Sequence, residues 1–390
     1  MLTPMHRAAA PILAALIFLN GCVTTSQPPA TLPRPSVRYE PARWSQVSGW
    51  QADQAQEAWS AFLQSCAAKG AALALKNACS AARTQVVANG AQARQFFESY
   101  FAPYRIVQID AARLTTDSGL ITGYYEPLLR GSRQASAAFK TPLYAPPDDM
   151  LTIELGDLFP ELQGKRVRGR LQGKKVLPYF DRAALQGQAA PKGKELVWVD
   201  SAVDAFFLEV QGSGRVQLDD GKTIRLAYAD QNGQPYRSIG RYLVDRGELT
   251  LDESSAPAIR RWIELHPTRL QEVLNANPSV VFFREERIDD PLQGPKGSLG
   301  VPLTAGRSVA VDPSFVPLGT PLFLSTTLPA SDLPLQRLVM AQDTGGAIRG
   351  VIRADLFWGF GAAAGESAGL MKQQGRLWLL WPKDEKLPGP

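Results

Sequence analysis

Between residues 51 and 101 apolar side chains recur at three- and four-residue spacing, the period of helices buried along one face. Trp59, Phe62, Leu63 and Cys66 form one stripe, and Phe96, Phe97, Tyr100 and Phe101 form another. Alanine is abundant there and favours helix further. From about Leu120 the pattern changes to short strands and turns. Residues 208–211 and 215–218 flank Gly212-Ser213-Gly214 and read as a hairpin. Asp219-Asp220-Gly221 then turns into a strand at 222–226. Helix returns at 237–245 and 256–275, the second broken near Pro267. Six short apolar runs follow, at 280–283, 309–311, 322–324, 338–341, 351–352 and 377–380, separated by Gly and Pro. They suggest a small closed barrel with a filled interior.

At the N-terminus, His6 and Arg7 precede an apolar run at 8–19 that is too short to span a bilayer and has the length of a signal-peptide core. It ends Leu19-Asn20-Gly21-Cys22, which resembles a bacterial lipobox, so Cys22 is the expected lipidation site. Val23 rather than Asp follows it. By the sorting rule of such lipoproteins, that points to the periplasmic face of the bacterial outer membrane. Residues 22–50, rich in Thr, Ser and Pro, read as a flexible tether after a leader at 1–21. In an oxidising compartment Cys66 and Cys79 are expected to form a disulfide between two N-terminal helices. No other apolar run reaches the roughly 18 residues a membrane helix needs.

Composition narrows the chemistry. The chain of 390 residues holds two histidines and three cysteines. Cys22, Cys66 and Cys79 have no zinc-site spacing, and His266 lies in a helical stretch without a nucleophile elbow. No metal and no cofactor is expected, and carboxylates should carry any catalysis. A net charge of +5 is only mildly basic and implies no nucleic-acid partner. The densest basic run, Lys165-Arg166-Val167-Arg168-Gly169-Arg170, reads as a solvated loop or edge strand, or as a contact with an anionic polymer. Asp312, Asp343 and Asp355 each sit at a strand end or turn beside Gly, Pro or an aromatic. In a small barrel such ends gather at one rim. Gathered carboxylates fit glycoside chemistry, a metal, or an aspartic-protease dyad. The dyad would use Asp343-Thr344-Gly345 and Asp117-Ser118-Gly119, but Thr115-Thr116 is not the apolar strand such a site needs.

Several longer motifs occur in order. Gly297-Ser298-Leu299-Gly300-Val301-Pro302-Leu303, Val311-Asp312-Pro313, Pro317-Leu318-Gly319-Thr320-Pro321 and Asp343-Thr344-Gly345-Gly346-Ala347-Ile348 resemble a domain named for its three aspartates. Thr122-Gly123-Tyr124-Tyr125-Glu126-Pro127, the run from Asp204 to Gly214, and Asn232-Gly233-Gln234-Pro235-Tyr236 resemble an accompanying insert domain. Together they resemble the membrane-bound lytic murein transglycosylase A family. The resemblance implies a mainly β fold with N-terminal helices: a double-psi β-barrel domain, a second β-rich domain, and a glycan groove between them. The expected division is a helical segment at 51–115 packing on the barrel, the insert at 116–270 and the barrel at 271–385. It implies cleavage of the β-1,4 bond between N-acetylmuramic acid and N-acetylglucosamine in peptidoglycan, leaving 1,6-anhydromuramoyl ends. Exolytic action is likewise carried over from the family. Asp355 would be the single acid/base, with Asp343 and Asp312 supporting it. Tyr124, Tyr125, Glu126, Gln211, Ser213 and Asn232 would bind the glycan. Gly345 and Gly346 would let the backbone approach the sugar or adopt positive φ. A non-catalytic peptidoglycan-binding lipoprotein is the competing reading.

Overall fold

The computed structural model describes residues 36–389, apart from Gly164, Arg166, Asp252 and Asp289. The expected leader, Cys22 and the tether up to residue 35 lie outside the described residues, as does Arg166 of the basic run. Among the described residues no helix is long and apolar enough to cross a membrane.

Six strands close into a barrel. In ring order they are Lys372–Pro382, Pro321–Thr327, Pro334–Asp343, Ser308–Val311, Ala354–Phe360 and Gly119–Glu126, the last returning to pair with the first. Two neighbouring pairs are parallel: Ser308–Val311 with Pro334–Asp343, and Ala354–Phe360 with Gly119–Glu126. Alternate side chains of these strands fill the interior. Ile121, Val309, Val311, Leu322, Leu324, Val339, Ala341, Ala354, Leu356, Leu377 and Leu379 form one buried cluster there. The residues between them on one side of the barrel, Phe323, Leu338, Met340, Trp378 and Leu380, point outward under the N-terminal helices. Both faces of these strands are therefore covered, which is why they read as unbroken apolar runs.

The helices Trp59–Ala67, Lys76–Ala82 and Gly90–Tyr100 supply that outer layer through Trp59, Phe62, Phe96 and Phe97. A disulfide joins Cys66 to Cys79. The layer is also fixed by polar contacts. Buried Arg307 donates to both oxygens of Asp53 at 2.9 and 3.0 Å and to Glu57 at 2.8 Å.

The second domain is a six-stranded sheet ordered Val281–Glu286, Thr223–Gln231, Ser213–Leu218, Leu128–Ser132, Glu195–Val199 and Thr141–Tyr144. A three-stranded sheet, Leu151–Ile153, Val167–Gln172 and Lys175–Pro178, adjoins it in the chain.

Several expectations change. Part of the expected tether is ordered: Ser36–Pro41 is a strand paired with Phe101–Ile109, which itself extends the barrel sheet beside Lys372–Pro382. The segment at 51–115 is therefore not all helix. Nor do the domain limits fall at 116 and 271. Gly119–Glu126 is a barrel strand, and Val281–Glu286 pairs within the second sheet, so the second domain is inserted into the barrel's chain. Residues 208–211 are not a hairpin strand but the end of the helix Ala202–Gln211. Ser201 caps its start by accepting from the Asp204 N–H, and Gly212, at φ +80°, ends it. Residues 351–352 are a buried turn leading into the strand Ala354–Phe360.

Candidate active site

Strand register brings the carboxylates together. Ala310 pairs with Asp343 on one side and with Asp355 on the other. Asp355 pairs onward with Thr122, and Thr122 with Lys372. Asp343, Ala310, Asp355, Thr122 and Lys372 thus form one row across five strands. At about 4.8 Å per strand the two aspartate backbones stand roughly 10 Å apart.

All these side chains face away from the barrel interior. Val309 and Val311 point inward, so Ala310 points outward; Ala354 and Leu356 point inward, so Asp355 points outward. Asp343 needs a further device. Ala341 points inward, and strict alternation would send Asp343 the same way. The register shifts between the Val309–Ala341 and Ala310–Asp343 pairs, so Gln342 is an extra residue that turns Asp343 outward. Buried Gln342 is pinned by its own contacts. Its amide donates to the Ala61 carbonyl at 2.8 Å and to Ser65 at 2.9 Å, and its oxygen accepts from Ser308 at 2.5 Å. A helix of the N-terminal layer therefore helps place the aspartate.

The two carboxyl groups differ in surroundings. Asp355 accepts a hydrogen bond from the Thr122 hydroxyl at 2.6 Å. Burial raises its pKa to about 6, against the opposing effects of Thr122 and Arg353 and with a small addition from Asp343. Asp343 accepts from the Ser298 N–H and hydroxyl at 2.8 Å each, from the Thr344 N–H at 2.9 Å and from the Tyr124 hydroxyl at 3.0 Å. Burial raises its pKa too, and those four donors hold it down. Tyr124 stays protonated, pushed well above its usual range by burial and by both carboxylates. Its ring packs on Phe357 at 5.3 Å between centroids.

Other expected site residues lie elsewhere. Tyr125 alternates to the opposite side, packing on Gly365, with Arg260 beside its hydroxyl. Its backbone N–H donates to Gln211 at 3.0 Å, which ties Gln211 to the strand. Glu126 is fully buried and accepts from Arg215 at 2.9 Å and Arg225 at 2.5 Å, so its carboxylate is structural. Asn232 is equally buried. Its amide donates to the Phe180 and Pro278 carbonyls, and its oxygen accepts from the Val280 N–H. Neither has an atom to offer a sugar. Ser213 opens a strand, paired with Ala227. Asp312 is buried off the row, where it accepts from the Gly350 N–H at 2.9 Å and anchors the loop between Asp343 and Asp355. Gly345 and Gly346 do not adopt positive φ, although a side chain at Gly346 would meet open space. Asp117 pairs with Arg105 and Arg376. It lies seven residues before Tyr124 along an extended segment, roughly 20 Å away, and cannot share a proton with Asp343.

Thr122 and Ser298 were not singled out from the sequence. Both stand inside quoted motifs, but their partners are 233 and 45 residues away. Only the fold shows which carboxylate each touches.

Comparison with known proteins covers both domains. Residues 120–284 match the model of the MltA specific insert domain, and residues 307–381 match the 3D domain. The chain is 35% identical over 266 residues to the membrane-bound lytic murein transglycosylase A of Escherichia coli (strain K12). That match covers 66% of this chain and 64% of the relative, so it spans slightly less than two thirds of the relative's length. A crystal structure of MltA from Neisseria gonorrhoeae is 36% identical with a TM-score of 0.76, covering 90% of this chain and 94% of that one. E. coli MltA with bound chitohexaose is 27% identical with a TM-score of 0.63, covering 90% and 93%.

Proposed function

The chain belongs to the membrane-bound lytic murein transglycosylase A family, and from that premise we propose that it cleaves peptidoglycan glycan strands with Asp355 as single acid/base. The bond broken is the β-1,4 link between N-acetylmuramic acid and N-acetylglucosamine. The observation that carries this reading is the outward-facing Asp355 carboxyl, held by burial near pKa 6 beside a second carboxylate. A carboxyl in that range is part-protonated near neutrality and can act first as acid and then as base.

Protonated Asp355 donates to the glycosidic oxygen as the bond from the muramoyl C1 breaks. The muramoyl C6 hydroxyl attacks C1 within the same sugar, which loses little entropy. Asp355, now a carboxylate, takes the hydroxyl proton and is restored. The product end is a 1,6-anhydromuramoyl ring, and no water is consumed. One carboxylate thus suffices where hydrolases use two. Asp343 supports the site by holding Tyr124 and Ser298 in place and by disfavouring ionisation of Asp355. Asp312 supports it indirectly through its loop. The relative solved with chitohexaose supports a β-1,4 glycan as ligand. Lipidation at Cys22 and residence at the periplasmic face of the outer membrane complete the proposal, supported by the lipobox-like sequence and the family name.

Digestion of purified sacculi, with the released muropeptides identified by mass, tests the reaction. Anhydromuramoyl ends are expected. Reducing ends would mean hydrolysis, and no release would leave a binding protein.

A further inference from the structure

Beside the carboxylate row lies a polar recess of about 210 Å³, whose wall includes Arg225, Glu286, Arg287, Gln293, Gly294 and Lys296. Among the described residues its charge is unbalanced. Arg225 is 4% exposed and shares the single carboxylate of Glu126 with Arg215, which is 6% exposed. The buried cluster therefore holds two guanidiniums for one carboxylate. Backbone carbonyls of Pro291 and Gln293 take part of the guanidinium hydrogen bonds, but carbonyls carry no net charge. Exposed Lys296 adds positive charge at the rim, where Glu286 is paired with Arg284. Burying net positive charge is costly unless an anion can approach it.

The recess is close to the reacting groups. A side chain at Gly294 would lie 3.0 Å from the Phe357 ring, which packs on Tyr124. Gln293 accepts from Arg225, and Ser298 donates to Asp343. Five peptide steps link Gln293 to Ser298, a reach of at most about 17 Å.

We propose that this recess binds a carboxylate of the peptide stem carried by the muramoyl lactyl group of the substrate, with Lys296 as its accessible cation. The inference rests on the proposed glycan-cleaving function and adds a determinant for stem-bearing strands. A strand stripped by an amidase keeps only the lactyl carboxylate fixed on the sugar and lacks the stem's own carboxylates. The contact is partly solvated, so its contribution should be modest and should fall with salt.

The test compares the intact protein and Lys296→Gln on two substrates: glycan strands bearing stems, and the same strands stripped by an amidase. Wild type should show the lower KM on stem-bearing strands. Lys296→Gln should raise that KM roughly five-fold, the size of a partly screened charge pair, and leave the stripped-strand KM unchanged. Equal KM values for wild type on both substrates, or equal effects of Lys296→Gln on both, would overturn the stem site while leaving the cleavage reaction standing. Absence of anhydromuramoyl product from both substrates would defeat the reaction and the stem site together.

Discussion

Asp355 must hold a proton where the protein works and release it within a turnover. With its pKa near 6, the protonated fraction falls as pH rises through that value. We predict that kcat/KM for glycan cleavage falls on the alkaline side with an apparent pKa near 6. Thr122→Val removes the hydrogen bond that lowers this pKa, so the same limb should move to higher pH, as a pH–rate series would record. Stability carries a second signature. The folded-state pKa is raised above the unfolded one, so the contribution of Asp355 is fully favourable below the ordinary carboxyl range and is lost as pH rises through about 6. Asp355→Asn should therefore be more stable than wild type at neutral pH, by at most about 3 kcal/mol, with the gain vanishing below about pH 4 in urea titrations. That Asp355 and Asp343 come together was legible in the sequence, because both sit at strand ends beside turn residues. Glu126 and Asn232 were misassigned because a motif does not reveal that Arg215, Arg225 and backbone groups already occupy them.

At the scale of elements, helical periodicity located the N-terminal layer, and short apolar runs located most barrel strands. The helix Ala202–Gln211 was missed although its signals were present. Ser201 with Asp204 three residues on marks a start, and Gly212 marks an end. Gly212-Ser213-Gly214 between two short runs at 208–211 and 215–218 reads as a hairpin instead. The bulge at Gln342 was not legible, since one extra residue is visible only against its partner strand. The disulfide was legible from the oxidising compartment that the expected leader implies. It closes a loop with a sequence separation of 13. Its reduction should cost about 3 kcal/mol of stability, read as a lower urea midpoint for the reduced protein.

At the scale of the molecule, the sequence indicated a barrel, a second β domain and an N-terminal layer, but not that the barrel's chain is interrupted. The strand Gly119–Glu126 completes the barrel from the far side of the insert, and Thr122 and Tyr124 reach the carboxylates from it. Its last residue, Glu126, binds the insert through Arg215 and Arg225. Glu126→Gln should thus lower stability by roughly 3–5 kcal/mol, read by urea unfolding, because it leaves two buried guanidiniums without their counter-charge. A glycan-binding role for Glu126 would instead appear as a higher KM with stability unchanged. The central claim is that one carboxyl on this assembled row carries both proton transfers. Its most direct test is the rate of anhydromuropeptide release from sacculi by folded Asp355→Asn, measured alongside sacculus binding and beside Asp343→Asn. The account predicts that Asp355→Asn loses roughly 10²–10⁴-fold in rate with binding retained, while Asp343→Asn loses less. Retained release by Asp355→Asn, with release abolished in Asp343→Asn, would contradict it and move the acid to Asp343.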